Sequence, residues 1–346
     1  MTPQIVKNNL IEKLKITVIN TENLFILFDE NTHQIPHFRE ELLKTIQDGS
    51  LTELEWQKRS TSIYDNKSLH QTKKLAQALL EIDADFYLMC EVGGLESLTN
   101  FNDLFLNNQY TPYLIEGNSD RHIDIGYLVK KDFPFQCEIK SHKERSINFL
   151  YPHEKDTQVP SHKFSRDVSE LRVVNPKNSE LLMIFLLVHL KSPLDRDGID
   201  SGGCLRREAE LKTLVEIYNE LQQVHDVPIA IGGDFNGNAS ILNTDNEFKD
   251  LYEKTFLKDA LEIAAIPLYE RATFYHVRNH QRTDGRQIDF CFLNQVLWSK
   301  LEADETFVYR YKNAFGHRPL GPSSIEEKLN GPSDHYPVVI TIKAPF

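Results

Sequence analysis

Short runs of apolar residues recur along the whole chain and constrain its fold more than any other feature. They lie at 16–19, 86–89, 125–129, 181–188, 229–231, 288–293 and 338–342. Runs of this length are typical of β-strands. Several are apolar at successive positions instead of alternating with polar residues, which is expected where both faces of a sheet are covered. The pattern therefore predicts β-sheets that lie in the interior of the protein.

Two longer stretches, 69–82 and 205–221, repeat apolar residues at helical spacing and lie between predicted strands. The sequence shows no internal repeat, low-complexity tract or Gly/Ser linker. The simplest interpretation is a single α/β (α+β) domain over residues 1–346. The stretch near 29–66 is polar and weakly patterned, and we interpret it as a partly helical insertion into that domain.

The charge balance narrows the choice of partners. The chain has 51 acidic and 39 basic residues and a formal net charge of −12. Such a charge repels a polyanion at long range, whereas it attracts metal cations. Tight nonspecific binding of nucleic acid is therefore less expected, although a nuclease with a local basic rim stays compatible with it.

The sequence also gives expectations about location and redox state. Residues 1–15 lack the apolar core of a secretory signal, which predicts a cytoplasmic protein. The longest clean apolar run, 181–188, is far below the roughly 18 residues needed to cross a bilayer, which predicts no membrane span. The four cysteines form no C-x-x-C pair, so we expect reduced thiols and no zinc knuckle. Nothing in the sequence indicates an obligate protein partner.

Polar side chains of a few types stand where the apolar runs stop. They are Asn20 and Glu22, Glu91, His189 and Lys191, Asp234 and Asn236, Asp289, and Asp334 and His335. We expect them to form one site at the ends of buried strands. Carboxylate oxygens are the ligands that Mg²⁺ and Mn²⁺ prefer, and no Cys/His cage for zinc is present.

These residue types predict metal-dependent hydrolysis of a phosphate ester. The reaction needs a base that activates water, positive charge on the phosphoryl oxygens and a stabilised leaving alkoxide, and a metal supplies the last two. Asp234 can orient or deprotonate the water, while His189 and His335 can exchange protons near neutral pH. The G-x-S-x-G, G-x-x-x-x-G-K-[ST] and G-x-G-x-x-G motifs of competing enzyme classes are missing.

In their order along the chain, the motifs N-x-E, E, H-L-K-S, G-D-F-N, I-D and S-D-H resemble the endonuclease/exonuclease/phosphatase superfamily, whose members are DNase I-like. The bacterial branch that begins with N-V-E-N-L-F is the most similar, on Asn20–Phe25 and Arg121–Gly126. The resemblance implies a four-layer sandwich of two packed mixed β-sheets flanked by helices.

The resemblance also implies roles for individual residues. Those that would hold Mg²⁺ or Mn²⁺ are Asn20, Glu22, Glu91 and Asp334. Those that would act in catalysis are His189, Asp234, Asn236, Asp289 and His335, with Asp289 orienting His335 against the phosphate. Lys191 is a candidate phosphate or structural contact. The pair Arg206 and Arg207 begins a predicted helix and either binds substrate phosphate or is solvated.

The substrate stays open at this stage. Residues 120–126 lack the Tyr and Asn of abasic-site nucleases, and Cys90 stands where many members carry Gln. The leading hypothesis is a phosphodiesterase or nuclease with a phosphoester substrate such as DNA or RNA. The alternatives are a phosphatase or phosphodiesterase acting on a lipid or nucleotide, and a non-catalytic binding protein on the same fold.

Overall fold

The computed structural model describes residues 11–30, 36–61, 63–195, 198–278, 281–313 and 315–344. Its strands are β1 (Lys13–Leu24), β2 (Phe86–Val92), β3 (Tyr110–Leu114), β4 (Asp124–Lys130), β5 (Gln136–Ser141), β6 (Val168–Val174), β7 (Leu181–His189), β8 (Ile229–Asp234), β9 (Lys258–Asp259), β10 (Phe274–Arg278), β11 (Gln281–Arg286), β12 (Asp289–Leu293), β13 (Phe307–Val308) and β14 (Val338–Lys343). Its α-helices are α1 (Phe38–Gln47), α2 (Glu53–Gln57), α3 (Leu69–Ile82), α4 (Gly94–Phe105), α5 (Cys204–Val224), α6 (Lys249–Glu253), α7 (Ala260–Ile263), α8 (Gln295–Trp298) and α9 (Ile325–Leu329). Single 3₁₀ turns lie at Pro152–Glu154, Ser201–Gly203, Ile241–Asn243, Asn246–Phe248, Leu268–Glu270 and Ala303–Glu305.

The first six-stranded sheet has the order β13-β14-β1-β2-β4-β3. Its central strands β1 and β2 are parallel, with Ile16 opposite Phe86 and Asn20 opposite Cys90. The other neighbours in this sheet pair antiparallel. Because β1 and β2 run in the same direction, their carboxyl ends lie at the same edge of the sheet.

The second six-stranded sheet has the order β5-β6-β7-β8-β12-β9, and its central strands β7 and β8 are likewise parallel. The remaining pairs are antiparallel. Strands β10 and β11 form a separate two-stranded sheet. Each large sheet therefore has a parallel pair at its centre.

The two large sheets pack face to face, and β7 shows how both sides of a sheet are covered. Met183, Phe185 and Leu187 belong to the core that lies between the sheets. Ile184 and Leu186 alternate with them and belong to a second core, under α5 and α6. Helices α3 and α4 cover the outer face of the first sheet. The result is the predicted four-layer α/β sandwich of two mixed sheets flanked by helices.

The apolar runs predicted as strands lie in β1, β2, β4, β7, β8, β12 and β14, and the two predicted helices are α3 and α5. Ser68 caps the N-terminus of helix α3, and its side chain accepts the backbone N–H of Gln71. The pattern missed strands without a continuous apolar run. In β5, for example, exposed and half-buried residues alternate because it forms the edge of its sheet.

The stretch near 29–66 contains α1 and α2 and is anchored by one tryptophan. Trp56 is fully buried and meets Phe28 and Phe105 edge to face, at centroid distances of 5.8 and 5.7 Å. Its indole N–H donates to the backbone carbonyl of Lys67 at 2.9 Å. The packing of this stretch therefore fixes where Lys67 lies. The interpretation as one domain with an insertion stays a prediction.

The four cysteines are free thiols, and Cys90 and Cys291 are buried. Within the described ranges, every helix falls short of the length or the apolar character that crossing a membrane requires.

Candidate active site

The carboxyl ends of both parallel pairs meet at one place between the sheets. In the first sheet Asn20 ends the regular pairing of β1 with β2. In the second, His189 lies opposite Asp234 where β7 and β8 end. The side-chain amide of Asn20 donates to Asp234 Oδ2 at 3.0 Å, which joins the two sheets at this point. The predicted convergence of strand ends is therefore present.

Several residues at these strand ends have a left-handed backbone conformation, which changes the direction of their side chains. Glu22, Asn23, Glu91 and Asn236 have φ values of 51°, 56°, 61° and 54°. The pairing register shifts between Asn20 and Leu24 and again between Cys90 and Val92, so both strands carry a bulge. Non-glycine residues in this conformation are uncommon and cluster at functional sites. Here the bulges turn two glutamates toward the site.

Three carboxylates and one lysine form an acidic group beside Asn20. Asn23 donates its backbone N–H to Glu91 Oε2 at 3.1 Å, and Asp334 does the same to Glu22 Oε2 at 3.1 Å. The ammonium of Lys67 donates to the Glu22 carbonyl at 3.0 Å and lies 3.7 Å from Glu22 Oε2. The Lys67 side chain is only 3% exposed. A buried cation therefore offsets part of this negative charge.

In this acidic group, burial shifts the pKa values most, and the neighbouring charges shift them less. Burial, together with the neighbouring carboxylate of Asp334, raises the pKa of Glu22. Burial lowers the pKa of Lys67, although Glu22, Asp334 and Glu91 oppose that shift. Both shifts show that this group lies in a poorly solvated environment, where a further cation would be strongly attracted.

A second group lies deeper and consists of Asp234, Asp289 and His335. Their ligand atoms all lie within 4.8 Å of one another, a geometry that could hold a metal ion. Asp289 Oδ2 is 2.8 Å from His335 Nδ1. The hydroxyl of Thr273 accepts the backbone N–H groups of Ile288 and Asp289 at 3.1 Å each and so fixes the start of β12. Asp289 is thus placed to orient His335.

The two ends of this group have opposite charge. Burial and the nearby Asp289 raise the pKa of Asp234 to about 7. Burial alone would lower the pKa of His335, but Asp289, Asp334 and Asp234 outweigh it and hold that pKa well above its ordinary value. A carboxyl poised near neutrality beside a protonated imidazole is an arrangement suited to proton transfer.

His189 lies between the two groups. Its Nε2 is 3.6 Å from Asp234 Oδ2 and 3.9 Å from Glu91 Oε1. Burial lowers its pKa well below the ordinary value, and the positive charges of Arg166 and His335 add to this. Its buried Nδ1 has no hydrogen-bond partner among the described residues. A neutral imidazole here can donate or accept one hydrogen bond to a substrate or water.

Asn236 follows Asp234 and closes the turn after β8. Its backbone N–H donates to Asp234 Oδ1 at 2.8 Å, and its amide Nδ2 donates to the carbonyl of Leu190 at 3.0 Å. Asn20 is similarly engaged, because its Oδ1 accepts the backbone N–H of Glu22 at 2.9 Å. The Asn20 amide and the Asn236 backbone therefore hold Asp234 in position, and each side-chain amide keeps an oxygen lone pair for another ligand.

The three predicted substrate contacts occupy different environments. Lys191 Nζ donates to the carbonyls of Ser192 and Leu194, and Arg206 donates to the carbonyl of Lys163. Lys191 and Arg206 line one cavity beside the site.

Arg207 lies elsewhere and is 3% exposed. Its guanidinium binds Glu247 at 2.7 Å and the carbonyls of Lys191 and Gly202 at 2.8 and 3.0 Å. These bonds fasten α5 inside the protein. The predicted contact of Arg207 with substrate has no support in this geometry, because the buried ion pair uses its charge.

Two residues near the site were missed from the sequence. Lys67 precedes α3, and Arg166 precedes β6, at points where no apolar run ends in a polar motif. Arg166 is 6% exposed and is close enough to influence the pKa of His189. The local sequence gives no signal for either residue, because both reach the site through long-range packing.

The donor atoms fit a hard divalent cation. Glu22, Glu91 and Asp334 contribute carboxylate oxygens, and Asn20 contributes an amide oxygen. The deeper group offers a further oxygen, Asp289 Oδ1, which is buried without a hydrogen-bond partner among the described residues. Oxygen ligands of this kind suit Mg²⁺ or Mn²⁺, and no thiol lies among them.

Comparison with known proteins identifies the fold but no close sequence relative. No known family profile matches the chain, and neither does any curated protein sequence. An endonuclease/exonuclease/phosphatase family protein from Bacteroides thetaiotaomicron has 16% identity and a TM-score of 0.54, over 96% of this chain and 98% of its own. TDP2 from D. rerio, complexed with a single-strand DNA product, has 14% identity and a TM-score of 0.53, over 95% and 98%. A mannosyl-6-phosphatase from B. thetaiotaomicron has 16% identity and a TM-score of 0.51, over 94% and 98%.

The chain therefore has the endonuclease/exonuclease/phosphatase fold, as its motifs predict. It shares this fold with phosphoesterases. Identities this low show the architecture alone, so the resemblance to the N-V-E-N-L-F branch stays a prediction.

Proposed function

We propose that the protein is a hydrolase of phosphate esters that uses Mg²⁺ or Mn²⁺, and that its substrates are phosphodiesters. The observation that carries the proposal is the meeting of an oxygen-rich acidic group with the Asp234, Asp289 and His335 group at one strand-end site. An enzyme needs both parts, whereas a binding protein on the same fold has no need of a protonated histidine paired to a buried aspartate.

The acidic group is the proposed metal site. Glu22, Glu91 and Asp334 would hold the ion, with Asn20 completing the set. When bound, the ion supplies positive charge to the phosphoryl oxygens and to the leaving oxygen. The ligand atoms of the Asp234 group also lie close enough to hold an ion, but we assign the ion here because this set offers oxygen atoms alone and leaves His335 free to bind phosphate.

Asp234 is the proposed base for the attacking water. Asn20 and the backbone of Asn236 each donate to one of its oxygens, so its orientation is fixed from two sides. A pKa of about 7 lets the carboxylate accept a proton near neutral pH. The water oxygen forms the new bond to phosphorus while its proton passes to Asp234 and the ester P–O bond breaks.

His335 is the proposed phosphate contact. Its raised pKa keeps the imidazole protonated at neutral pH, and Asp289 engages Nδ1, so Nε2 is left to donate to a phosphoryl oxygen. His189, being neutral and next to Asp234 and Glu91, is placed to bind a second phosphoryl oxygen or the water. Charge-assisted donors aimed at developing negative charge are a large source of catalysis.

A phosphomonoester is the second candidate substrate. The similar mannosyl-6-phosphatase supports it, whereas the similar TDP2 with its DNA product supports a diester. Nuclease action is the leading form of the diester proposal. A lipid or nucleotide phosphoester is the alternative that the net charge of −12 favours, since such substrates need no long basic groove.

A substrate panel tests the proposal. Bis(p-nitrophenyl) phosphate, p-nitrophenyl phosphate and plasmid DNA would each be incubated with Mg²⁺, Mn²⁺ or EDTA. We expect metal-dependent cleavage of the diester, and His335→Gln should lower kcat by about 10²-fold or more. His70→Gln, a substitution at an exposed position of α3, is the matched control. Cleavage of the monoester alone would contradict the diester proposal and favour a phosphomonoester substrate. Full activity of His335→Gln would refute the role of His335.

A further inference from the structure

A cavity of about 390 Å³ opens beside the proposed catalytic site and concentrates basic side chains. We call it the cationic pocket and define it by Arg121, Tyr151, Arg166, Lys191 and Arg206, which line it. Basic side chains outnumber acidic ones in its lining, in a chain whose formal net charge is −12. It marks a place where a negatively charged group would be attracted locally.

The pocket lies next to the catalytic site and is linked to it through Asn23. Arg121 donates from its guanidinium to Asn23 Oδ1 at 3.0 Å, and the backbone of Asn23 donates to Glu91 Oε2 at 3.1 Å. Lys191 lies two residues after His189, at the end of β7. A substrate held at the catalytic site would therefore have the pocket as a neighbour.

The buried guanidinium of Arg166 has open hydrogen-bond donors, which points to a ligand. Arg166 is 6% exposed, and the one hydrogen bond found for its guanidinium goes to the hydroxyl of Ser165 at 3.2 Å. Its Nε is buried without a hydrogen-bond partner among the described residues. No described carboxylate forms an ion pair with it, although the charges of Glu210, Glu91 and Asp234 act on it from farther away. A buried guanidinium left in this state is costly unless an anion binds to it.

Three aspartates, Asp120, Asp195 and Asp200, also line the pocket and offset part of its positive charge. Asp200 accepts the backbone N–H groups of Leu205 and Arg206 at 2.9 and 3.0 Å. Asp195 accepts those of Ile199 and Asp200 at 3.1 and 3.0 Å. Both carboxylates therefore compensate backbone donors at the start of α5 and in the loop before it. Arg206 lies 3.5 Å from Glu210 Oε1, whereas no described carboxylate forms an ion pair with Arg121, Arg166 or Lys191.

We propose that the cationic pocket binds a second phosphate group of the substrate, next to the phosphate that is cleaved. This inference rests on the proposed function and deepens it, because it defines the substrate class as phosphoesters that carry a further phosphate. Arg guanidinium groups suit phosphate oxygens because they offer several donors in a fixed plane. Tyr151, about half-buried at the pocket, adds a hydroxyl and a flat apolar face.

A matched pair of substrates tests the proposal. Thymidine 5′-(p-nitrophenyl phosphate) and its 3′-phosphorylated form differ only in the second phosphate. We expect kcat/KM to be about tenfold or more higher for the 3′-phosphorylated form. In Arg206→Gln and in Arg121→Gln that ratio should fall toward one. Lys177→Gln, which removes an exposed lysine from the turn before β7, should keep the native ratio.

Two further arms complete the test. The p-nitrophenyl ester of the dinucleotide pTpT presents an internal diester as the second phosphate, so its ratio shows whether a terminal or a chain phosphate is recognised. Pyrophosphate binding by calorimetry in EDTA needs no turnover, and Arg206→Gln should weaken it by about tenfold. The pocket assignment would be overturned if the ratio of kcat/KM values were the same in the native protein and the variants. It would also be overturned if Arg206→Gln bound pyrophosphate as tightly as the native protein, even if the simple diester is cleaved. Pocket-dependent pyrophosphate binding without turnover would refute the proposed function alone.

Discussion

At the scale of single residues, the site is built from side chains held in costly states. Glu22, Asn23 and Glu91 adopt left-handed backbone, which costs of order 1–3 kcal/mol at each non-glycine position. Lys67 and Arg166 are cations removed from water. Such states persist only where the surrounding structure fixes them, as Trp56 does by binding the carbonyl of Lys67. Part of the strained backbone therefore lies where the chemistry is proposed.

Lys67 gives a prediction at this scale. In Lys67→Met, the carboxylates of Glu22, Glu91 and Asp334 lose their compensating cation, so in EDTA the free energy of unfolding should fall by about 3 kcal/mol. Mg²⁺ should then stabilise the variant more than the native protein, because the ion replaces the lost charge. Thermal unfolding with and without Mg²⁺ measures both effects. Lys44→Met, at an exposed position of α1, is the control, and an equal Mg²⁺ shift in Lys67→Met and native protein would contradict the prediction.

At the scale of elements, the close approach of the two sheets sets the position of β8 and hence of Asp234. Gly232 lies where a Cβ would come within 2.7 Å of Leu88 and 2.8 Å of Val18 on the opposing sheet. The glycines before Asp234 are thus packing residues and not a phosphate-binding loop. Sheet packing and the site are coupled through this strand.

Gly232→Ala tests that coupling. The added methyl group should force the sheets apart and lower the free energy of unfolding by about 1–3 kcal/mol, as overpacked cores do. Because Asp234 is two residues away, the variant should also lose affinity for Mg²⁺. Urea unfolding and calorimetric titration of Mg²⁺ measure these effects. A variant with native stability and native metal affinity would show that the sheets are not packed this closely.

The segment before β14 is fastened to α3 through one carboxylate. Glu81 accepts from Lys312 at 2.6 Å, from the Tyr309 hydroxyl at 2.7 Å and from Arg318 at 2.5 Å. These bonds, led by that of Lys312, lower the pKa of Glu81 to about 2. A lowered pKa means that the stabilisation is present above the ordinary value of 4.5 and is lost as the pH falls toward 2.

The matching variant is Glu81→Gln. Its free energy of unfolding at pH 7 should be lower than that of the native protein by about 1 kcal/mol, the upper range for exposed ion pairs. The difference should shrink steadily as the pH falls from 4.5 to 3, because Glu81 of the unfolded chain takes up a proton there while native Glu81 stays charged. Denaturant unfolding at several pH values measures it, with Glu138→Gln on the exposed side of β5 as control. A difference that does not change with pH would exclude the charge as its cause.

At the scale of the whole molecule, the sequence predicts the layers well because a strand covered on both faces leaves a continuous apolar run. β7 is such a strand, and its alternate residues enter two different cores. The polar residues that end these runs were also predictable as a group. They meet because parallel strands in packed sheets bring their carboxyl ends together, as the contact of Asn20 with Asp234 shows.

What could not be predicted lies in the connections. Lys67 and Arg166 reach the site through packing between distant segments, and local periodicity carries no information about such contacts. Arg207 is an error in the opposite direction. Its place beside Arg206 suggested a role at the surface, but helix geometry turns its side chain inward to Glu247. Edge strands such as β5 were missed for a related reason, because half of their residues face water.

Hydrolysis of bis(p-nitrophenyl) phosphate by the native protein and by Asp234→Asn, each with Mg²⁺ or with EDTA, tests the central claim most directly. Asp226→Asn, at an exposed position before β8, is the matched control. We predict that cleavage needs Mg²⁺ and is retained in Asp226→Asn. In Asp234→Asn the rate of cleavage should fall by about 10²-fold or more, because asparagine keeps the shape of the side chain but cannot act as the base. Cleavage that persists in EDTA, or an Asp234→Asn variant as active as the native protein, would contradict this prediction.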